Sequence, residues 1–89
     1  MPSVVPFRKS CQVPSQRDID AFREALAAEI RRIRIEKGLS KTELSNRSGI
    51  TRQAIRMIEC GERSPSAVTV WQLAGGLGVA LSDILSRLP

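Results

Sequence analysis

The sequence predicts an all-α fold of five helices, the first of them extended. Apolar residues recur at spacings of three and four after an irregular N-terminal segment. In the middle of the chain, two short segments each begin with a capping residue and end near a glycine, as short helices do. Two further apolar segments follow them. A chain of 89 residues is the size of one domain with a modest core. Residues 1–14, with three prolines, are predicted to form a flexible arm, so the domain spans residues 15–89.

The first predicted helix begins after Ser15, which with Asp18 three residues later has the spacing of a helix cap. It continues to about Lys37, so it is longer than about 30 Å at ~1.5 Å per residue. Its apolar stripe consists of Ile19, Phe22, Leu26, Ile30 and Ile33. The N-terminal turns of this helix extend beyond what a small core can cover, and we expect them to need a partner surface.

Two short helices joined by a glycine turn follow the first helix. Ser40 and Glu43 have the spacing of a capping box, in which a hydroxyl and a carboxylate satisfy free amides at a helix start. The helix that begins at about Lys41 ends at Gly49, because glycine adopts a left-handed backbone without steric cost. Thr51 then caps the next helix. This arrangement is a helix-turn-helix.

The second helix of this pair has one inward and one outward face. Ala54, Ile55 and Ile58 are predicted to point inward. The predicted outward side chains are Arg52, Gln53, Arg56 and Met57. Arginine forks pair with guanine O6 and N7, glutamine pairs with adenine N6 and N7, and an apolar side chain can contact a thymine methyl. The outward face is therefore the candidate DNA-reading surface, with the alternative that Arg56 contacts phosphate only.

A longer pattern of capping, apolar and glycine residues runs from about residue 30 to residue 86. It comprises Arg34, residues 39–45 and 49–51, Ile55, residues 59–61 and 64–66, Val70, and residues 73–74, 77–79 and 81–85. This pattern resembles the XRE-type helix-turn-helix family of Cro-like and lambda-repressor-like DNA-binding domains. The sequence departs from the family at Lys41, where glutamine is common, at Ser45, where alanine is usual, and at Ala80, where serine or threonine caps the fifth helix.

The resemblance implies contacts to both bases and phosphates of duplex DNA. Base contacts are expected at Arg52, Gln53, Arg56 and Met57. Phosphate contacts are expected at Lys41, Asn46, Arg47, Thr51, Arg63 and Ser64. Phosphate contacts fix the position of a protein on the duplex without reading its sequence. The resemblance also implies a salt bridge between Arg34 and Glu59, which match positions that pair in the family.

The two C-terminal helices are predicted from Ser66 onward. Ser66 caps the fourth helix, and its inward residues are Val70, Leu73, Ala74 and Leu77. Gly75 and Gly76 interrupt it, so that turn is either frayed or packed closely against another backbone. Trp71 is either a core residue on the first helix or an interface anchor. The last helix is apolar on a wide face. The predicted dimer interface comprises Ile19, Phe22, Leu26, Ile84, Leu85 and Leu88.

Charge and composition agree with a polyanionic partner. The net charge is +5, from 14 Lys and Arg against 9 Asp and Glu, and the excess lies around the helix-turn-helix.

With no histidine and no tyrosine, the usual acid–base and nucleophilic sites cannot be assembled, so we expect no enzymatic activity and no cofactor. Cys11 and Cys60 are expected to be reduced thiols, with no metal site. No membrane span or signal peptide is evident, which predicts a cytoplasmic protein.

Three functions are compatible with these residues. The first is a transcriptional regulator of double-stranded DNA that forms a homodimer and represses from a palindromic operator. The second is the antitoxin of a toxin–antitoxin pair, which would bind a protein toxin and regulate its own operon. The third is an adaptor that uses the fold for protein contacts alone. We expect the first.

Overall fold

The computed structural model describes residues 13–88, and these fold into five α-helices, as the sequence predicts. The helices are α1 (Gln16–Glu36), α2 (Lys41–Ser48), α3 (Arg52–Glu59), α4 (Ala67–Leu77) and α5 (Leu81–Leu85). The predicted arm, with Cys11, lies outside the described residues except for Val13 and Pro14. In the part of the chain that is described, no helix is both long enough and apolar enough to cross a membrane.

Four of the five helices begin at a side-chain cap. Ser15, Ser40, Thr51 and Ser66 each accept a hydrogen bond from the amide three residues later. At α2 the box is reciprocal, since the Ser40 amide also donates to Glu43 Oε1 at 2.8 Å. Helix α5 begins at Leu81, and the residue at its cap position, Ala80, has no capping side chain. Its amide donates instead to Asp83 Oδ2 at 3.1 Å, so a carboxylate satisfies the free donor.

The core is built from side chains of all five helices. Its fully buried large residues are Ile30, Leu44, Ile55, Leu73, Leu77 and Ile84. The inward positions predicted for α4 are confirmed, because Val70, Leu73, Ala74 and Leu77 are all buried. Ile50, in the turn between α2 and α3, packs against this cluster. The short helices are therefore held by burial, since helices of eight residues are marginal on their own.

Gly76 lies at the closest contact between α4 and α2. A Cβ at this position would fall 2.9 Å from Ser48 Cβ and 3.0 Å from Leu44 Cδ1. Gly75 is different, because a Cβ there would meet nothing within 4 Å. Of the two explanations for the Gly75–Gly76 pair, close packing is confirmed for Gly76. The missing side chain lets the two helix backbones approach each other.

Trp71 lies on the solvent side of α4. Its exposed fraction is 65%, and that of Val68, one turn earlier, is 62%. The alternative that Trp71 is a core residue is therefore wrong. The physical reason is that α4 turns its inward stripe to the core, and Trp71 and Val68 lie on the opposite face of the helix. The interface-anchor alternative stays a prediction.

The predicted salt bridge between Arg34 and Glu59 is present. Arg34 Nε lies 2.8 Å from Glu59 Oε2, and the side chains are 12% and 3% exposed. The pair joins the end of α1 to the end of α3. It therefore ties the longest helix to the helix with the candidate DNA-reading surface.

Candidate nucleic-acid interface

Helix α3 presents a polar face on an apolar base. Ile55 and Ile58 are buried, whereas Arg52, Gln53 and Arg56 are exposed. Thr51 Oγ1 accepts a hydrogen bond from the Ala54 amide at 3.1 Å, which fixes where the helix begins. The three exposed side chains lie in the first turn and a half, so they project from one end of a rigidly seated helix. This arrangement suits insertion into the major groove.

Met57 is less exposed than the other three residues predicted to contact bases. It is partly buried rather than fully outward. Its backbone carbonyl also accepts the Glu62 amide at 2.9 Å, where the chain leaves α3. A contact from Met57 to a thymine methyl would therefore use only the exposed part of its side chain.

The turn between α2 and α3 is held at several points. Gly49 has a left-handed backbone with φ of 80°, as its position at the end of α2 predicts. Ser48 Oγ accepts the Ile50 amide at 3.2 Å. From α4, Gln72 Nε2 donates to the Ser48 carbonyl at 3.4 Å, a long bond. These contacts fix the angle at which α3 leaves α2.

The predicted phosphate contacts fall into two groups. Thr51, Arg63 and Ser64 line one cleft of about 540 Å³ between the start of α3, the α3–α4 loop and the start of α4. Lys41, Asn46 and Arg47 belong to α2 and do not line it. Lys41 is partly buried at the first position of α2, whereas Asn46 and Arg47 are exposed.

Two further hydroxyl residues line the same cleft and were not predicted as contacts. Ser66 and Thr69 lie at the start of α4, and their hydroxyl oxygens are 3.0 Å apart. Ser66 was assigned only as a cap from the sequence. The signal that could have identified a contact role is its place at the start of α4, two residues after Ser64, because helix N-termini attract anions.

The arginines of this surface keep their charge available. Arg47, Arg52, Arg56 and Arg63 are exposed, and within residues 13–88 the ion pairs engage other arginines. Among the acidic residues, Glu43 is held in place by α2. The Ser40 amide, which donates to its carboxylate, holds the pKa of Glu43 below its ordinary value. Glu43 is therefore ionised and offsets part of this positive charge, but the four exposed arginines outnumber it, as suits a surface that binds phosphate.

An apolar surface extends from α1 to α5 and adjoins the cleft beside the α3–α4 loop at Ser64 and Pro65. Phe22 and Leu85 are each 45% exposed, and Ile19 is 39% exposed. Two clefts share Phe22, Leu26 and Pro65 in their walls, and the second also includes Leu85. These two clefts form a continuous apolar strip.

The structure corrects two of the six residues predicted for a dimer interface. Leu26 and Ile84 lie in the core, with exposed fractions of 6% and 0%. They cannot offer a partner much surface, because α1 and α5 pack against each other and cover them. Leu88 is partly buried and packs against the core. Ile19, Phe22 and Leu85 are left as the exposed part of the predicted set.

Comparison with known proteins agrees with this geometry. A helix-turn-helix family model matches residues 30–84. An HTH-type transcriptional regulator from Sinorhizobium fredii, y4dJ, is 34% identical over 65 residues, which cover 73% of this chain and 84% of that protein. The HTH-type transcriptional regulator SutR of Escherichia coli is 31% identical over 61 residues, which cover 68% of this chain but only 34% of SutR.

Solved structures show the same fold. An HTH_3 family transcriptional regulator from Vibrio cholerae superposes with a TM-score of 0.72 at 29% identity, over 76% of this chain and 39% of that chain. The restriction-modification controller protein C.AhdI from Aeromonas hydrophila gives 0.67 at 29% identity, over 70% of this chain and 94% of that chain. With the matched family model and the exposed polar face of α3, these likenesses show that the chain belongs to the XRE-type helix-turn-helix family of DNA-binding transcriptional regulators.

Proposed function

We propose that this protein is a sequence-specific repressor that binds double-stranded DNA as a homodimer at a roughly palindromic operator. The observation that carries the proposal is the outward face of α3. Arg52, Gln53 and Arg56 are exposed there, on a helix fixed by the buried Ile55 and Ile58. A rigid helix that presents such side chains can discriminate bases by paired hydrogen bonds.

Base reading is assigned to the start of α3. Arg52 and Gln53 occupy its first two positions, so they can reach deepest into a groove that receives this end of the helix. Arg56 lies one turn later and contacts either a base or a phosphate. Met57 contributes the apolar contact that its partial exposure allows.

Backbone binding is assigned to two groups on either side of α3. Thr51, Arg63 and Ser64 line the cleft beside the α3–α4 loop. Lys41, Asn46 and Arg47 supply contacts from α2. Lys41 acts as a point charge, without the paired donor and acceptor that glutamine would offer. Each basic contact that neutralises a phosphate releases counterions and makes binding weaker in salt.

Dimerisation is supported by the apolar strip along α1 and α5. Ile19, Phe22 and Leu85 leave apolar surface exposed on one side of the protein. Exposed patches of this kind mark interaction sites, and a two-fold dimer is the commonest symmetric assembly. Two copies related in this way would place their α3 helices in successive major grooves, about 34 Å apart. This spacing is the reason for expecting a palindromic operator.

Selection of bound sequences from a random duplex pool tests the proposal. We expect one inverted-repeat consensus from the parent protein. The Gln53→Ala variant should relax base preference at one position in each half-site, at a cost of about 1–3 kcal/mol there. Equal losses on the selected operator and on random duplex would contradict base reading by Gln53. A parent protein that enriches no sequence would overturn the function as a sequence-specific regulator.

A promoter fusion tests the sign of regulation. With the selected operator placed in a promoter, we expect expression of the parent protein to lower the reporter signal, and a raised signal would identify an activator. The antitoxin alternative is not favoured, because the relatives described above are named as transcriptional regulators or restriction-modification controllers.

A further inference from the structure

Arg23 connects α1 to the α3–α4 loop, which lines the cleft of Thr51, Arg63 and Ser64. Its Nε donates to Ser64 Oγ at 2.7 Å, across 41 positions of sequence. Its Nη1 lies 3.3 Å from Asp20 Oδ1, and its side chain is 31% exposed. Arg23 lies N-terminal to residues 30–84, the part that matches the family model. The connection is therefore made by the extended part of α1.

This contact is also the main polar tether of the loop. The Glu62 amide donates to the Met57 carbonyl at the start of the loop. For residues 63–65, the Arg23–Ser64 bond is the one hydrogen bond formed with other described residues. Pro65 lines the apolar clefts together with Phe22, so the loop also rests on α1. The position of Ser64 thus depends on Arg23.

The chemistry of the two groups determines which one donates the hydrogen bond. A guanidinium only donates hydrogen bonds, whereas a hydroxyl has one hydrogen to donate and two lone pairs to accept. Since Arg23 occupies a lone pair of Ser64 Oγ, the hydroxyl hydrogen must seek an acceptor elsewhere. Among residues 13–88, the structure contains no acceptor bonded to it. Ser64 also lines the cleft with Thr51 and Arg63, where a phosphate oxygen could accept that hydrogen.

We propose that Arg23 is a positioning residue for DNA backbone binding, which holds the Ser64 hydroxyl so that its hydrogen is directed to a phosphate oxygen. The inference rests on the proposed function and adds a residue that neither the family match nor the sequence assigned to DNA binding. Arg23 acts through Ser64 rather than as a further phosphate ligand, because Asp20 already compensates part of its charge. The extended part of α1 is thereby coupled to the DNA-facing loop.

A double-mutant cycle with duplex DNA tests the inference. The variants are Arg23→Gln, Ser64→Ala and the two combined, measured by fluorescence anisotropy on the selected operator and on random duplex. Arg17→Gln is the matched control, since Arg17 is exposed on the same helix and forms no ion pair with another described residue. Circular dichroism verifies that each variant is folded at the assay temperature. Arg23→Met, which keeps the apolar part of the side chain, replaces the glutamine variant if that variant is unfolded.

We expect each single variant to weaken binding to both duplexes alike, by roughly three- to tenfold, the range for one lost hydrogen bond. The double variant should bind no more weakly than Ser64→Ala, and Arg17→Gln should bind as the parent does. A merely structural role of Arg23 would change the melting temperature without this non-additivity. The salt dependence should be the same in all variants, because no phosphate ligand with a charge is removed.

Three results would overturn the inference. The first is binding by Arg23→Gln that equals the parent's. The second is a double variant whose loss of binding free energy equals the sum of the two single losses. The third is a salt slope that Arg23→Gln lowers by about one when Ser64→Ala is already present, which would make Arg23 a direct phosphate ligand. In each of these cases the parent still selects an operator, so the proposed function stands. A parent protein that binds no duplex would overturn both.

Discussion

The guanidinium of Arg34 forms a two-point ion pair with the carboxylate of Glu59. Nε and Nη2 lie 2.8 Å and 3.0 Å from Oε2 and Oε1. The remaining nitrogen, Nη1, donates to the Leu39 carbonyl at 2.8 Å. One arginine therefore connects the end of α1, the segment before α2 and the end of α3. Because Glu59 is almost completely buried, neither charge can regain water if the other is removed.

The Glu59→Ala variant should be destabilised by about 3 kcal/mol, because it leaves Arg34 poorly compensated in a largely buried position. Urea unfolding followed by circular dichroism measures this. Glu36→Ala is the control, since Glu36 forms a surface pair with Arg32 and is 64% exposed. That variant should lose less than about 1 kcal/mol. Equal stabilities for the two variants would show that the Arg34–Glu59 pair contributes little.

The two neighbouring glycines of α4 should respond in opposite directions to alanine. Gly76→Ala places a methyl 2.9 Å from Ser48 Cβ and 3.1 Å from the Ser48 amide nitrogen, so α2 and α4 must separate. We expect a loss of about 1–3 kcal/mol. Gly75→Ala meets open space and should gain up to about 1 kcal/mol from helix propensity. Thermal unfolding of the two variants compares these effects directly. A Gly76→Ala protein as stable as the parent would mean that α2 and α4 do not pack tightly at this position.

Acid should remove the stabilisation that Glu29 provides. The hydrogen bonds from Arg32 hold the pKa of Glu29 below its ordinary value, with a smaller contribution from the charge of Arg87. A carboxylate with a lowered folded-state pKa stabilises the fold above its unfolded pKa, roughly 4.3, and this contribution is lost as the pH falls through the folded-state value. The parent should therefore be more stable than Glu29→Gln at pH 7, and the difference should narrow as the pH falls below the unfolded-state pKa.

Denaturant unfolding at several pH values measures this difference directly. Glu24→Gln is the control, because Glu24 is exposed on the same helix. A difference between parent and Glu29→Gln that stayed constant down to pH 3 would contradict the role of the ionised carboxylate.

Lys41 should contribute to DNA affinity without contributing to sequence choice. Because Lys41 is proposed to contact phosphate at the start of α2, its replacement by alanine should weaken binding to operator and random duplex by the same factor. It should also lower the slope of log K against log salt by about one. Anisotropy titrations across a salt series measure both effects. A loss confined to the operator would instead place Lys41 against a base.

The protein should be a homodimer at micromolar concentration before it binds DNA. Leu85→Glu puts a charge in the apolar strip beside Phe22 and should shift the mass to that of a monomer in sedimentation equilibrium. Ile35→Glu is the control, because Ile35 is exposed near the end of α1 and lies outside both apolar clefts. A parent protein with a monomer mass, unchanged by Leu85→Glu, would restrict pairing to the operator-bound state.

The helix boundaries could be predicted because they depend on local signals. Ser15, Ser40, Thr51 and Ser66 each cap a helix at the predicted place, and Gly49 ends α2 there. Burial was harder to predict within an apolar stripe, because the core does not cover every residue of the stripe. Leu26 and Ile84 share the apolar pattern of exposed neighbours, and their burial depends on how α1 and α5 cross. Trp71 was ambiguous for a similar reason, since the face of α4 that the core covers depends on how that helix packs against the others.

The residues of the candidate site also differ in how far the sequence could predict them. The outward face of α3 followed from helical period alone, whereas the cleft that joins Thr51 to Ser64 and Thr69 requires the packing of two helices and a loop. The bond from Arg23 to Ser64 spans 41 positions. Neither residue type nor spacing indicates such a partner in a single sequence.

The shortness of α3 limits how much sequence one copy can specify. Eight residues at ~1.5 Å each give a helix of about 12 Å, which can lie along the edges of only about four base pairs at ~3.4 Å per step. With every base pair fully read, a tetranucleotide recurs by chance about once in 256 positions, and two such half-sites together recur about once in 65,000. A single copy therefore carries too little information to mark one promoter in a genome, and the proposed pairing of two copies would square this selectivity.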